Sequence, residues 1–253
     1  MHRLYLPSEE CRGLELKLTG REAHHALHVL RVRAGERITV LDGAGAEILC
    51  EVRDQTRDSL ALAVVSKNSI PAPPHRITLL QAIPRGKTFE TIIQKATELG
   101  VWRIVPVLSE RIAMQLDAED AIGKTEKWRQ VAIEAIKQCG NPWLPQIEKP
   151  VTPAEFLSRG EKFELPLVGS LQPDRRHPRQ YFAAFLRAHG KLPQTVCVWI
   201  GPEGDFTPAE RSAIQADGAL PISLGRLILR SDTAAIYCLA ILNYELQSPD
   251  SGS

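Results

Sequence analysis

The chain has 253 residues, 43% hydrophobic and 24% charged, a balance ordinary for a soluble globular protein with one large domain or a small and a medium one. The formal net charge of +1 does not announce a nucleic-acid partner, so any basic footprint must be local, as in Arg31-Val32-Arg33 or Arg175-Arg176-His177-Pro178-Arg179. The five cysteines are odd in number and lack C-x-x-C spacing, and the chain shows neither a signal peptide nor a membrane-length apolar run, so a reducing cytoplasm and no membrane partner are expected.

The first seventy or so residues read as β-rich. Strands are predicted over 38–41, 47–52 and 59–65, the first two joined by the turn Asp42-Gly43-Ala44-Gly45. A short helix over 22–30 would pack on this barrel-like unit. Ile70-Pro71-Ala72-Pro73-Pro74 is a stiff linker, because its prolines favour extended backbone, and it divides a domain 1–70 from a domain 75–247. Beyond it strands and helices alternate. Strands are expected over 76–82, 101–107, 165–171, 195–200 and 220–224, with helices over 88–99, 125–139, 179–188, 208–216 and 232–246. Phe89, Ile92, Ile93, Ala96 and Leu99 make a helical stripe, and Gly100 ends it. Thr207-Pro208-Ala209-Glu210 is a capping box with proline at the first helical position. The alternation implies an α/β fold with a mostly parallel sheet and helices on both faces. Residues 248–253 read as a disordered polar tail.

Two glycine-punctuated loops carry the functional signal. Gly201-Pro202-Glu203-Gly204-Asp205-Phe206 and Leu224-Gly225-Arg226-Leu227-Ile228-Leu229-Arg230 each follow a predicted strand and precede a predicted helix. That layout puts both at the carboxyl edge of the sheet, where open α/β folds bind ligands. Glycines admit close backbone approach, and Leu224, Ile228 and Leu229 wall an apolar slot. Neither loop has the lysine and Ser/Thr of a P-loop or the spacing of a dinucleotide fingerprint, so the ligand lacks a chain of phosphates.

These two motifs, with Gln81-Ala82-Ile83-Pro84-Arg85-Gly86-Lys87, Ile93-Gln94-Lys95-Ala96-Thr97-Glu98-Leu99-Gly100-Val101 and the N-terminal His24-His25…Val29-Leu30-Arg31…Gly35…Asp42-Gly43, resemble the ribosomal small-subunit methyltransferase E family in order over most of the chain. The resemblance implies a SPOUT-type fold whose C-terminal sheet carries a trefoil knot, a PUA-like N-terminal β-barrel that binds RNA, and a homodimer. It implies S-adenosylmethionine as cofactor and N3 of a uridine in 16S ribosomal RNA of the small subunit as target. Methylation of another RNA position, such as a ribose 2′-oxygen, and a non-catalytic RNA-binding or assembly role are the alternatives.

Such chemistry needs a splayed base, removal of the N3 proton, and a fixed cation for the charge that develops. Arg230, at the end of the second loop and the start of a helix, is the candidate for the cation; its bland alternative is pairing with Asp232 or Glu203. Glu203 either accepts the proton or fixes its loop. Asp232 would cap its own helix if it serves structure. The expected cofactor contacts are Val168, Gly169, Ser170, Leu171, Ile200, Gly201, Pro202, Gly204, Leu220, Ile222, Leu224, Gly225, Ile228 and Leu229. In the N-terminal unit Arg3, His24, His25, Arg31 and Arg33 are the candidate RNA contacts. No metal site is expected: His24 and His28 lack a third ligand. Cys139 reads as the end of an apolar helix face rather than a nucleophile. The chain departs from the family pattern at Asp205 (usually glycine), Leu227 (usually arginine), Asp232 (usually glutamate) and Asn141 (usually arginine), which bears on RNA affinity and target base more than on the cofactor pocket.

Overall fold

The computed structural model describes residues 2–86, 88–111 and 118–247. Lys87, of the resembling motif, and the tail 248–253 lie outside them. Two compact units emerge: residues 1–72 with 133–144, and residues 73–132 with 145–253.

The first unit is a five-stranded sheet built from β1 (Arg3–Tyr5), β2 (Glu15–Thr19), β3 (Arg37–Leu41), β4 (Ala46–Gln55) and β5 (Ser59–Ser69), ordered β1-β3-β4-β5-β2. All pairs are antiparallel except β1 with β3. Strict alternation in β2 and β4 buries Leu16, Leu18, Ile48, Cys50 and Val52 in one core. The β3–β4 turn needs Gly45, whose φ is +101° and whose Cβ would lie 2.4 Å from Trp143 and 2.8 Å from the Ile70 carbonyl. The expected helix over 22–30 is split: α1 (Gly20–His24) passes into a π-helical turn, His25–Val29, which ends beside Arg31 at φ +56°.

The second unit is a six-stranded, wholly parallel sheet. Its strands are β6 (Arg76–Ala82), β7 (Arg103–Val107), β8 (Gln146–Ile147), β9 (Leu165–Gly169), β10 (Thr195–Ile200) and β11 (Leu220–Ile222), ordered β11-β9-β10-β6-β7-β8. Its helices are α2 (Thr88–Glu98), α3 (Ala118–Cys139), α4 (Pro153–Ser158), α5 (Pro178–His189), α6 (Pro208–Ala216) and α7 (Ser231–Leu246). The apolar stripe of α2 is buried at Phe89, Ile92, Ile93 and Ala96. The capping box of α6 forms as its sequence predicts, and α4 carries a second one, Thr152 with Glu155.

The compact units depart from a linear division in one respect. The last turns of α3 belong with the first: Ile133 and Ile136 pack with Tyr5, Leu41 and Leu144. There the Lys137 ammonium, almost wholly buried, bonds Glu22 at 2.8 Å and Glu134 at 3.0 Å. No described helix is long and apolar enough to cross a membrane.

Candidate ligand cleft and RNA-contact residues

Because β9, β10 and β11 run parallel side by side, the chain leaves all three at one edge of the sheet. The segments that follow border an open cleft whose lining mixes apolar side chains with a few polar and charged groups, the usual make-up of a small-molecule site. Eleven predicted residues line it: Gly169, Ser170, Leu171, Ile200, Gly201, Pro202, Glu203, Leu224, Gly225, Ile228 and Leu229. Val168, Gly204, Leu220, Ile222 and Arg230 do not. Val168 and Ile222 are buried within β9 and β11, as expected in a parallel sheet covered on both faces, where successive residues are buried without alternation. Gly204 sits instead against Arg111, which donates to its carbonyl. Five lining residues went unassigned in the sequence: Arg175, Asp205, Leu227, Ser231 and Ala234.

Side chains beneath the cleft fix both loops. Gln81 is fully buried at the end of central strand β6, and its Nε2 donates to Ser231 Oγ at 2.9 Å and to the Ala82 carbonyl at 2.8 Å. Ser231 Oγ in turn donates to the Gly201 carbonyl at 2.8 Å, tying the start of α7 to the first loop. Gln81 Oε1 has no partner among the described residues. The signal for this relay was present in the sequence only as two polar residues, far apart in the chain, beside apolar ones.

Asp205 explains one departure from the family pattern. Its φ is +60°, the left-handed conformation that glycine adopts freely, and its Oδ1 accepts from the Phe206 N–H at 2.8 Å. Aspartate tolerates that backbone through this local bond. Glu203, exposed on the lip, makes none of the loop-fixing bonds among the described residues; those come from Ser231, Arg111 and Asp205. In the second loop Gly225 has φ +111°, and Ser223 Oγ bonds both its N–H and its carbonyl at 3.3 Å. Arg175 lines the cleft beside the segment that follows β9 and donates to the Leu171 carbonyl and, at 2.9 Å, to that of Gln172.

Arg230 is exposed, stands at the N-cap of α7 between two lining residues, and has no ion-pair partner among the described residues. Pairing with Asp232 or Glu203 is therefore not found. Asp232 does not cap the helix: it lies in the first turn and accepts from Thr233 N–H at 2.8 Å.

In the first unit, Arg31 and Arg33 are exposed, and the His24 and His28 rings lie in tilted contact, their centroids 4.6 Å apart. Arg3 has a structural partner: its guanidinium donates to the Gln138 carbonyl at 3.3 Å and lies against Gly140, at the carboxyl end of α3. His25 Nδ1 lies 3.4 Å from the Lys137 ammonium. Asn141 closes a turn, its Oδ1 accepting from the Trp143 N–H at 3.0 Å. Cys139 belongs to this unit and does not line the cleft.

A family model described as RNA methyltransferase domain matches residues 71–243, and one described as RNA methyltransferase PUA domain matches residues 18–65. Relatives named Ribosomal RNA small subunit methyltransferase E are 33% identical in Synechocystis (98% of this chain, 78% of the relative) and 32% identical in Aquifex aeolicus (96% and 99%). Among solved structures, a putative methyltransferase of Legionella pneumophila in complex with bound SAM superposes with a TM-score of 0.86 at 32% identity, covering 96% of both chains. A Neisseria gonorrhoeae structure with the same family name, bound to S-adenosyl methionine, gives 0.83 at 27% identity over 96% of this chain and 97% of its own.

Proposed function

The chain belongs to the ribosomal RNA small subunit methyltransferase E family, and from that membership we propose that it transfers a methyl group from S-adenosylmethionine to N3 of a uridine in 16S ribosomal RNA. The observation that carries this reading is the convergence of the 200–205 and 224–229 loops on one cleft at the carboxyl edge of the sheet. The cleft's residues fit the cofactor. Ile200, Leu224 and Leu229 offer apolar walls, Gly169, Gly201 and Gly225 leave backbone bare, and Arg175, Glu203 and Asp205 supply both signs of charge for an amphoteric ligand.

When bound, S-adenosylmethionine supplies an electrophilic methyl group on a sulfonium. Arg230, with the N-terminus of α7 behind it, stabilises the negative charge that grows on N3 and its flanking carbonyl oxygens. Glu203 accepts the N3 proton; its exposed carboxylate on the lip, without a hydrogen bond or ion pair among the described residues, supports that role over loop fixing. Arg31, Arg33 and His24 contact RNA phosphates from a PUA-type domain of about residues 1–70. Arg3 and His25 act there by positioning, as their bonds to the end of α3 and to Lys137 suggest.

A C-terminal trefoil knot in the 75–247 domain and a cytoplasmic homodimer belong to the same reading. The dimer is supported by apolar side chains left exposed on one region of sequence: Leu227, Ile228, Tyr237 and Tyr244. Nucleoside mass analysis of 16S rRNA, methylated by the purified chain on subunits from a strain lacking the gene, tests the target. N3-methyluridine is expected. A 2′-O-methylated nucleoside instead would replace the target, and absence of cofactor binding at millimolar S-adenosylmethionine would leave a non-catalytic RNA-binding protein.

A further inference from the structure

Charge in this chain is unevenly placed. Residues 172–189 hold four arginines (Arg175, Arg176, Arg179, Arg187) against one acid, Asp174, although the whole chain is only +1. Arg176, His177, Arg179 and Arg187 line a surface trough along α5 whose floor is Ala183 and Ala184. Arg179, Ala183 and Arg187 are four residues apart and share one helix face, so the two guanidinium stems stand about 12 Å apart with a small residue between them.

The trough begins at the cleft. Arg175 lines the cleft, and Arg176 next to it is held rigidly: its N–H donates to the Pro221 carbonyl at 3.1 Å, and its carbonyl accepts from Ser223 N–H at 2.9 Å. Arg176 thus extends the sheet beside Ile222, at the root of the 224–229 loop. The Tyr181 hydroxyl, donating to the same Pro221 carbonyl at 3.1 Å, ties α5 to that edge. Arg179 pairs with Glu245 at 3.1 Å; Arg176 and Arg187 have no ion-pair partner among the described residues.

Three guanidinium groups line the trough against one imidazole, His177, and one amide, Gln180, and the His177 Nδ1 is already engaged by the Arg179 N–H, so the dominant chemistry of this helix face suits a phosphate backbone rather than base edges. We infer that the α5 trough is a phosphate track for the RNA strand flanking the nucleotide held in the cleft. The inference rests on the proposed rRNA methyltransferase function and adds to it a contact surface in the second unit.

The test is the salt dependence of binding to a 16S rRNA fragment, with Arg176→Gln/Arg187→Gln compared with wild type. A second double variant, Lys162→Gln/Lys191→Gln, removes the same charge near the amino ends of β9 and β10, where both lysines are exposed. Loss of two phosphate contacts lowers the slope of log affinity against log salt by about 1.4 to 1.8. S-adenosylmethionine affinity and the thermal midpoint stay unchanged, KM for rRNA rises, and kcat at saturating RNA holds. The lysine pair leaves the slope as in wild type. An unchanged slope in the arginine variant, an equal loss in the lysine variant, or a change in oligomeric state that accounts for the loss would overturn the track. A wild-type chain that binds S-adenosylmethionine but no rRNA at any salt would overturn the proposed function, and the track with it.

Discussion

Removing one hydroxyl beneath the cleft should loosen both ligand loops. Ser231→Ala strips the Gly201 carbonyl of its O–H donor and leaves the wholly buried Gln81 amide one acceptor short. An abandoned buried polar group costs about 1–3 kcal/mol, so two at this site cost about 2–4 kcal/mol after partial relaxation. In a chain of this size that lowers the thermal midpoint by about 4–16 °C. Binding must then reorder the 201 loop. If about 1.4 kcal/mol of ordering is shifted onto the ligand, S-adenosylmethionine affinity falls about tenfold. Differential scanning fluorimetry and calorimetric titration read the two effects. The relay also predicts a sign for the coupling: Gln81→Met combined with Ser231→Ala removes donor and acceptor together. The pair should then cost about 1–2 kcal/mol less than the two single changes added. Additivity within about 0.3 kcal/mol, or a Ser231→Ala midpoint within 1 °C of wild type, refutes the relay.

Four other outcomes follow from the structure. Arg230→Ala should lower the rate of methyl transfer about 100- to 1,000-fold with cofactor affinity within about twofold, measured by tritiated-methyl incorporation and titration; unchanged turnover removes Arg230 from the reaction. Asp205→Val forces a β-branched residue into φ +60° and should cost about 1–2 kcal/mol, while Asp205→Gly stays within about 0.5 kcal/mol; equal denaturation midpoints would contradict the local explanation. Arg31→Gly, relieving φ +56°, should stabilise the protein by about 1 kcal/mol while weakening rRNA binding, read by melting and by filter binding. Burial pushes the Cys197 and Cys238 thiols from 9.0 up to about 12. Their contribution is fully present below pH 9 and is lost as pH rises toward 12, because the unfolded chain releases those protons first; stability flat from pH 9 to 11 would count against it.

The local rules of the second unit were readable because they are short-range. The α2 stripe, the Thr207–Glu210 cap and the loops after β10 and β11 all declare themselves within a few residues. What escaped was non-local or too short. Strand β1 has three residues and exists because β3 pairs with it in parallel, and β8 has two. Strands β9 and β11 stop before the ends expected of them, at Gly169 and Ile222, since the chain there turns to border the cleft. Helix α3 begins at Ala118, well before the expected 125, in a stretch whose acids and glycine blur the apolar face. The Thr152–Glu155 cap, with Pro153 at the first helical position, has the same local form as the Thr207–Glu210 cap. At the site, glycine spacing identified the loops, whereas Ser231 and Gln81 matter through a contact spanning 150 positions that no local pattern encodes.

The return of α3 to the first unit has a consequence for biosynthesis. Ile133 and Ile136 complete the apolar cluster around Tyr5 and Leu41, and Lys137 neutralises Glu22. A nascent chain that has emerged only as far as the proline-rich connector therefore lacks part of its own first core. It must wait for translation to reach residue 144 before that core can close. Stalled nascent chains ending shortly past the connector should be cut readily by protease, and those extended well past residue 144 should resist.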